Sequence, residues 1–224
     1  MQLVSAPGGL ALLSERHAGY GAVRPDWANG EMRRRIAAGR RQPLARALGL
    51  HKPPQAGNRL RLVDATGGLG RDAWVLAALG AEVRLIERSA HVAAMLEDAL
   101  GRALENLAMR DTASRLRLYH ADARVWLAEH SDSTWDGIYL DPMYPQTRKS
   151  ALPTKAMQFL REVTHGDPDA DELLGIAQQH ARRVAVKRPL HATALAGCKA
   201  DTTITASRVR FDLYFNPECM PCEG

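Results

Sequence analysis

The sequence predicts an α/β protein built on an open, Rossmann-like sheet of seven strands, and three observations carry that prediction. From residue 59 onward, short apolar strand segments alternate with helical ones. The first of those strands runs straight into a glycine-rich turn, Asp64-Ala65-Thr66-Gly67-Gly68-Leu69-Gly70-Arg71-Asp72-Ala73. The C-terminal part offers two strand segments so close together that they must pair antiparallel. A chain of 224 residues holds one such domain and a small basic appendage, not two full domains.

Taken in order, residues 1–58 form that appendage, rich in Gly, Pro and Arg. Leu10-Ala11-Leu12-Leu13 and Tyr20-Gly21-Ala22-Val23 read as short strands, and Asn29-Gly30-Glu31 as a helix start. Pro43 permits a second helix over 44–50, and residues 52–58 read as a linker. The Rossmann-like domain is expected over 59–217. Its strands are read at 60–64, 82–87, 116–120, 137–141 and 183–187. Helices are read over 72–79, closed by Gly80, then from Ser89 through Met95, Leu96, Leu100 and Leu104, and from Asp169 or Asp171 to near His180. The closing pair is 202–205 and 209–215, and residues 218–224 are a tail. A βαβαβ series that ends in an antiparallel hairpin is the class I S-adenosylmethionine (SAM)-dependent methyltransferase architecture. A dehydrogenase usually keeps its sixth strand parallel.

Composition narrows the setting. Hydrophobic residues make up 46% and charged residues 25%, an ordinary globular balance. No run approaches the ~20 apolar residues of a membrane span. The N-terminus lacks a basic segment followed by an apolar one, so a cytoplasmic protein is expected. Cys198 stands alone, and the Cys219/Cys222 pair has no second Cys or His pair nearby, so no metal is expected. The net charge is +5, yet residues 24–52 hold eight Lys or Arg against two acids, leaving the remainder close to neutral. A local basic segment on a neutral body is what a polyanion binder needs. Arg33, Arg34, Arg35, Arg40 and Arg41 are therefore candidate phosphate contacts. Lys187 and Arg188, at the end of the fifth strand of the domain, are two more.

Within the glycine turn, Gly68-x-Gly70-x-x-Ala73 has the G-x-G-x-x-G/A form that lets a nucleotide approach the backbone at a helix start. Glu87 closes the next strand nineteen residues after Gly68 and can accept ribose hydroxyls. Asp122, just past the third strand, can accept adenine amino hydrogens. Arg71 and Asp72 present opposite charges where the amino-acid tail of SAM needs both. Asp141-Pro142-Met143-Tyr144-Pro145 ends the fourth strand, the edge where open sheets bind ligands. Its prolines remove two N–H donors and leave carbonyl acceptors. An exocyclic amine on a nucleic-acid base is a poor nucleophile. Asp141 and a carbonyl near Pro142 can align it and offset its developing charge, while Tyr144 stacks on the ring. Other planar amines (adenine N6, cytosine N4 or a protein amide) fit the loop equally. A nicotinamide-dependent oxidoreductase fits the turn but leaves the loop unexplained.

With these residues quoted, the chain resembles the RsmJ family of guanine-N2 methyltransferases of small-subunit (16S) ribosomal RNA. The likeness rests on the glycine turn, Glu87-Arg88, Tyr139 to Pro145 and Lys149-Ser150-Ala151-Leu152, and continues through Val186-Lys187-Arg188-Pro189 and Arg210 to Tyr214. The resemblance implies SAM as cofactor and small-subunit ribosomal RNA, or the small ribosomal subunit, as partner. It places cofactor contacts at Arg71, Asp72, Glu87, Arg88, Asp122, Ala123 and Asp141, and the glycine-turn reading adds Asp64, Gly68 and Gly70. Asp141, Pro142 and Tyr144 become the catalytic group, and Lys149 joins the RNA contacts. Gly67 departs from the Ala often seen there, and the N-terminal region is shorter than the family leads one to expect.

Overall fold

The computed structural model describes residues 2–13, 21–52, 58–131, 134–143 and 167–219. Tyr144, Pro145, Lys149 and the segment from Ser150 to Leu152 lie outside the described residues.

Seven strands form the main sheet: β3 (Arg61–Asp64), β4 (Glu82–Glu87), β5 (Leu116–His120), β6 (Gly137–Leu140), β7 (Arg183–Pro189), β8 (Thr202–Thr205) and β9 (Val209–Phe215). Their order is β5-β4-β3-β6-β7-β9-β8. The first five are parallel, and β9 enters antiparallel between β7 and β8. The hairpin expected at 202–215 is therefore present, and its second strand is the one inserted in reverse. The order turns back at β3 and β6, so the loops after these strands open a crevice at their C-terminal ends.

Alternation along the strands builds a core on each face. Leu62, Val83, Leu85, Tyr139, Ala185, Phe211 and Leu213 pack on one side, with α3 (Arg71–Ala78) and α4 (Ala90–Glu105). Val63, Ile86, Ile138, Leu140, Val184, Val186 and Tyr214 pack on the other, with α6 (Ala123–Glu129) and α7 (Ala170–His180). A four-residue helix, α5 (Arg110–Ala113), precedes β5. Ser89 Oγ caps α4 by accepting from the Val92 amide. No helix among the described residues is long and apolar enough to cross a membrane.

The N-terminal segment is more structured than its composition suggests. A hairpin of β1 (Gln2–Ala6) and β2 (Gly9–Leu13) packs on α4, where the Leu10 amide donates to Asp98. Of the strand expected at 20–23, the described residues 21–23 show one bridge, Val23 to Leu12. Asn29 caps α1 (Gly30–Ala37), and Pro43 starts α2 (Pro43–Ala47). Leu12, Val23, Trp27, Met32, Leu44 and Leu48 all belong to the buried cluster on the α3 face. Trp27 stacks on Trp74 of α3 at 4.7 Å and donates from Nε1 to the Leu69 carbonyl, bracing the glycine turn from outside.

Candidate active site

The glycine turn is shaped by the strand beside it. The Gly67 amide donates to Ile86 O at 3.0 Å, and a Cβ on Gly67 would lie 2.9 Å from that same oxygen. Alanine here would push the turn off β4, so this departure from the family pattern belongs to a close approach. Gly70 has φ 66°, and a side chain on it would meet Trp27 and Leu96 at 3.0 Å. Gly70 thus shapes the turn from beneath rather than lining the crevice.

The crevice has two adjoining cavities. The first is lined by Gly68, Glu87, Arg88, Asp122, Ala123, Asp141 and Pro142 among others. The second is lined by Asp64, Gly68, Arg71, Asp72 and Asp141, with Glu31, Arg35, Tyr139 and Lys187. Every cofactor residue expected from sequence, Gly70 excepted, lines one of the two. Thr66, Gly68, Asp141 and Met143 line both.

In the first cavity, buried Glu87 accepts from the Gly68 amide at 2.8 Å and the Ser89 amide at 2.7 Å, one on each carboxylate oxygen. Burial pushes its carboxyl up, and the two amides offset part of that. Each oxygen keeps a lone pair for a sugar hydroxyl. Asp122 caps α6 and is held below the usual carboxylate range by hydrogen bonds from Arg124. Arg88 bonds Asp169 with one nitrogen and Asp167 with another, and Asp167 also accepts from the Met143 amide at 2.6 Å. This network ties the loop after β6 to the end of β4.

The second cavity is organised by charge. Lys187 Nζ donates to Asp141 Oδ2 at 2.7 Å and to Asp72 Oδ2 at 3.2 Å. Asp72 also accepts from Tyr139 Oη at 2.6 Å and pairs with Arg35. Burial works to raise the Asp72 carboxyl, yet Lys187, Arg35 and the Tyr139 hydroxyl outweigh it and hold it far below the usual range. Burial raises Asp141, with Lys187 offsetting part of the shift, and it raises Asp64 strongly, reinforced by Asp72. Glu31, Asp64, Asp72 and Asp141 line this cavity together with Arg35, Arg71 and Lys187, so acceptors and cations stand side by side. SAM carries an ammonium and a carboxylate on its amino-acid tail, and this mixed lining offers a partner to each. The buried Glu87 suits its ribose. The residues present fit the cofactor.

Of the expected phosphate contacts, Arg33, Arg34 and Arg41 are exposed. The structure corrects four others. Arg35 turns inward to Asp72, and Arg40 ties the carbonyls of Leu50, Lys52 and Leu79 together. Lys187 lies within the crevice, and Arg188, next along the strand, faces the opposite side, buried and donating to Thr193 O. Strand alternation prevents the two from sharing a surface. Sequence reading also missed Thr66, whose Oγ1 accepts from the Asp141 amide at 2.7 Å, together with Tyr139 and Asp167. Thr66 and Tyr139 adjoin the two motifs, and that proximity was the available signal. Among the described residues, no group of His, Cys, Asp and Glu is arranged to hold a metal.

Comparison with known proteins agrees with this geometry. A family model described as "Putative SAM-dependent methyltransferase" matches residues 1–216. Ribosomal RNA small subunit methyltransferase J of Halorhodospira halophila is 44% identical over 218 residues, covering 95% of this chain and 79% of its own. The same-named protein of Laribacter hongkongensis is 45% identical over 210 residues, covering 92% and 72%. A crystal structure of a SAM-dependent methyltransferase from Neisseria gonorrhoeae superposes with a TM-score of 0.70 at 31% identity, covering 92% of this chain and 78% of that one. A T. thermophilus 16S rRNA N2 methyltransferase, RsmC, in complex with AdoMet and guanosine, shares the fold at a TM-score of 0.50 and 19% identity, covering 77% and 41%.

Proposed function

This chain belongs to the SAM-dependent methyltransferase family, and from that premise we propose that it methylates the exocyclic N2 amine of a guanosine in small-subunit ribosomal RNA. The observation that carries the reading is the Asp141 carboxylate at the junction of the two cavities, next to Pro142 of the first. The names of the relatives supply the RNA class. A cytoplasmic location suits that substrate, and the assembled small subunit is as good a candidate as free RNA.

Bound SAM supplies a methyl group already activated by its sulfonium leaving group. Glu87, with Asp122 beyond it, holds the adenosine portion, and the glycine turn with Arg71 and Asp64 receives the amino-acid tail. Asp141 accepts a hydrogen bond from the acceptor amine, orients its lone pair and offsets the positive charge that grows on nitrogen as the bond to carbon forms. The proton displaced from the product nitrogen passes to solvent. Tyr144 stacks on the base, and Arg33, Arg34, Arg41 and Lys149 bear on phosphates, giving affinity without base choice.

Nucleosides from small-subunit RNA, treated with the wild-type enzyme and SAM, test this by mass spectrometry. N2-methylguanosine should appear with wild type and be absent with Asp141→Ala. Methylation only at adenine N6 or cytosine N4 would refute the guanine assignment.

A further inference from the structure

We propose that Lys187 is a positioning residue for Asp141, clamping its Oδ2 and so presenting Oδ1 to the acceptor amine. The inference rests on the amine-methylation reading and adds a residue and a charge requirement to it.

Three contacts build the clamp. Lys187 Nζ reaches Asp141 Oδ2 at 2.7 Å. Its second bond runs to Asp72 Oδ2 at 3.2 Å, and Asp72 is itself fixed by Arg35 and the Tyr139 hydroxyl, so the ammonium is anchored from behind. The Asp141 amide, bound to Thr66 Oγ1, fixes the backbone from which the carboxylate hangs. Among the described residues, Asp141 Oδ1 accepts no hydrogen bond. A carboxylate held at Oδ2, with no donor at Oδ1 among the described residues, has a set orientation and an oxygen to present.

The charge balance needs the same lysine. Asp141 faces Lys187 from β7, Asp72 from α3 and Asp167 from the segment before α7. Asp64 at the end of β3 lies close enough to interact with it, as does Tyr139 on its own strand. Arg35 of α1 reaches this group only through Asp72. Its carboxylate neighbours and its burial all favour a protonated Asp141, and Lys187 is the cation that opposes them by direct contact. A protonated Asp141 offers the amine less negative charge, so losing the lysine removes both the orientation and the ionisation.

The test follows the Asp141 carboxyl by carbon-13 NMR in SAM-bound protein labelled at aspartate, the signal assigned by its loss in Asp141→Asn. Single-turnover methyl transfer to small-subunit RNA is measured across pH alongside it. In Lys187→Met the Asp141 midpoint should rise by at least about one pH unit, tenfold in its ionisation constant. The acid limb of the rate profile should rise with it, and Lys187→Arg should bring both back. Asp72→Asn, which frees Lys187 from its second partner and removes a repelling charge, should move the midpoint the other way and serves if Lys187→Met does not fold. A midpoint that stays put in Lys187→Met, or fails to fall in Asp72→Asn, overturns the proposal. If the wild type forms no N2-methylguanosine, the functional reading fails, and the carboxyl titration still decides the role of Lys187.

Discussion

The two halves of the crevice are built by different means. In the first cavity, the carboxylate of Glu87 is held by backbone amides from the adjacent turn and from its own strand end. In the second cavity, Asp72 and Asp141 are held by side chains from α1, β6 and β7. Backbone donors are positioned by the fold itself and do not titrate. Side-chain donors must be delivered from distant elements, and their charges must balance. The first half should therefore tolerate changes of pH and of neighbouring residues, whereas the second should respond to both.

The largest effect is expected where both halves share support. Trp27→Ala removes the ring stacked on Trp74 and the hydrogen bond to Leu69 O, and should cost about 3–5 kcal/mol in chemical denaturation. SAM binding should weaken with it, since the glycine turn serves both cavities. If the fold holds and binding is untouched, the turn does not depend on that brace.

The next effects separate the halves. Asp141→Ala should lower kcat by about a hundredfold to a thousandfold, the scale for loss of one preorganised electrostatic contact. Glu87→Ala leaves two amides unpaired and should raise the SAM Kd in calorimetry by roughly tenfold to a hundredfold, about 1–3 kcal/mol. Its saturated kcat should change far less. Equal losses of binding and turnover in both variants would erase the distinction.

A smaller effect concerns pH. The Asp64 carboxyl is raised in the fold, so the folded state keeps a proton that the unfolded chain releases. Its contribution to stability is present below the ordinary aspartate range and declines as pH rises through the folded value. Asp64→Asn should remove that decline and lift Tm at pH 7 to 8 while weakening SAM binding. A lower Tm across the whole range would contradict the assignment. The smallest effect is expected at the surface. Arg33→Ala and Arg34→Ala should each weaken RNA binding uniformly and reduce the salt slope by about one, with kcat unchanged.

The same contrast decides what the sequence disclosed. Glu87, the glycine turn and Asp141 sit at strand ends beside recognisable local patterns, so position alone pointed to them. The closing hairpin was readable because residues 202–205 and 209–215 leave room for only a tight turn. Lys187 bonds Asp72 across 115 residues, and no local pattern carries such a distance. Arg35 was read with its neighbours as part of a basic run, although one residue along a helix turns a side chain by about 100°. The N-terminal segment looked like an appendage because Gly, Pro and Arg dominate it. Its few apolar residues, Leu12, Trp27, Met32 and Leu48, prove to be widely spaced anchors in one cluster with the sheet.

The reversed insertion of β9 has a consequence for synthesis. During translation β7 can join β6 as soon as it emerges, but its other edge is left bare until residues 209–215 follow. Lys187 pairs along that edge with Phe211, and Tyr139 packs near the same ring. A nascent chain can thus shape the first cavity before residues 209–215 emerge from the ribosome. The second cavity waits for residues 209–215, so methyl-transfer competence is expected only after they have left the ribosome.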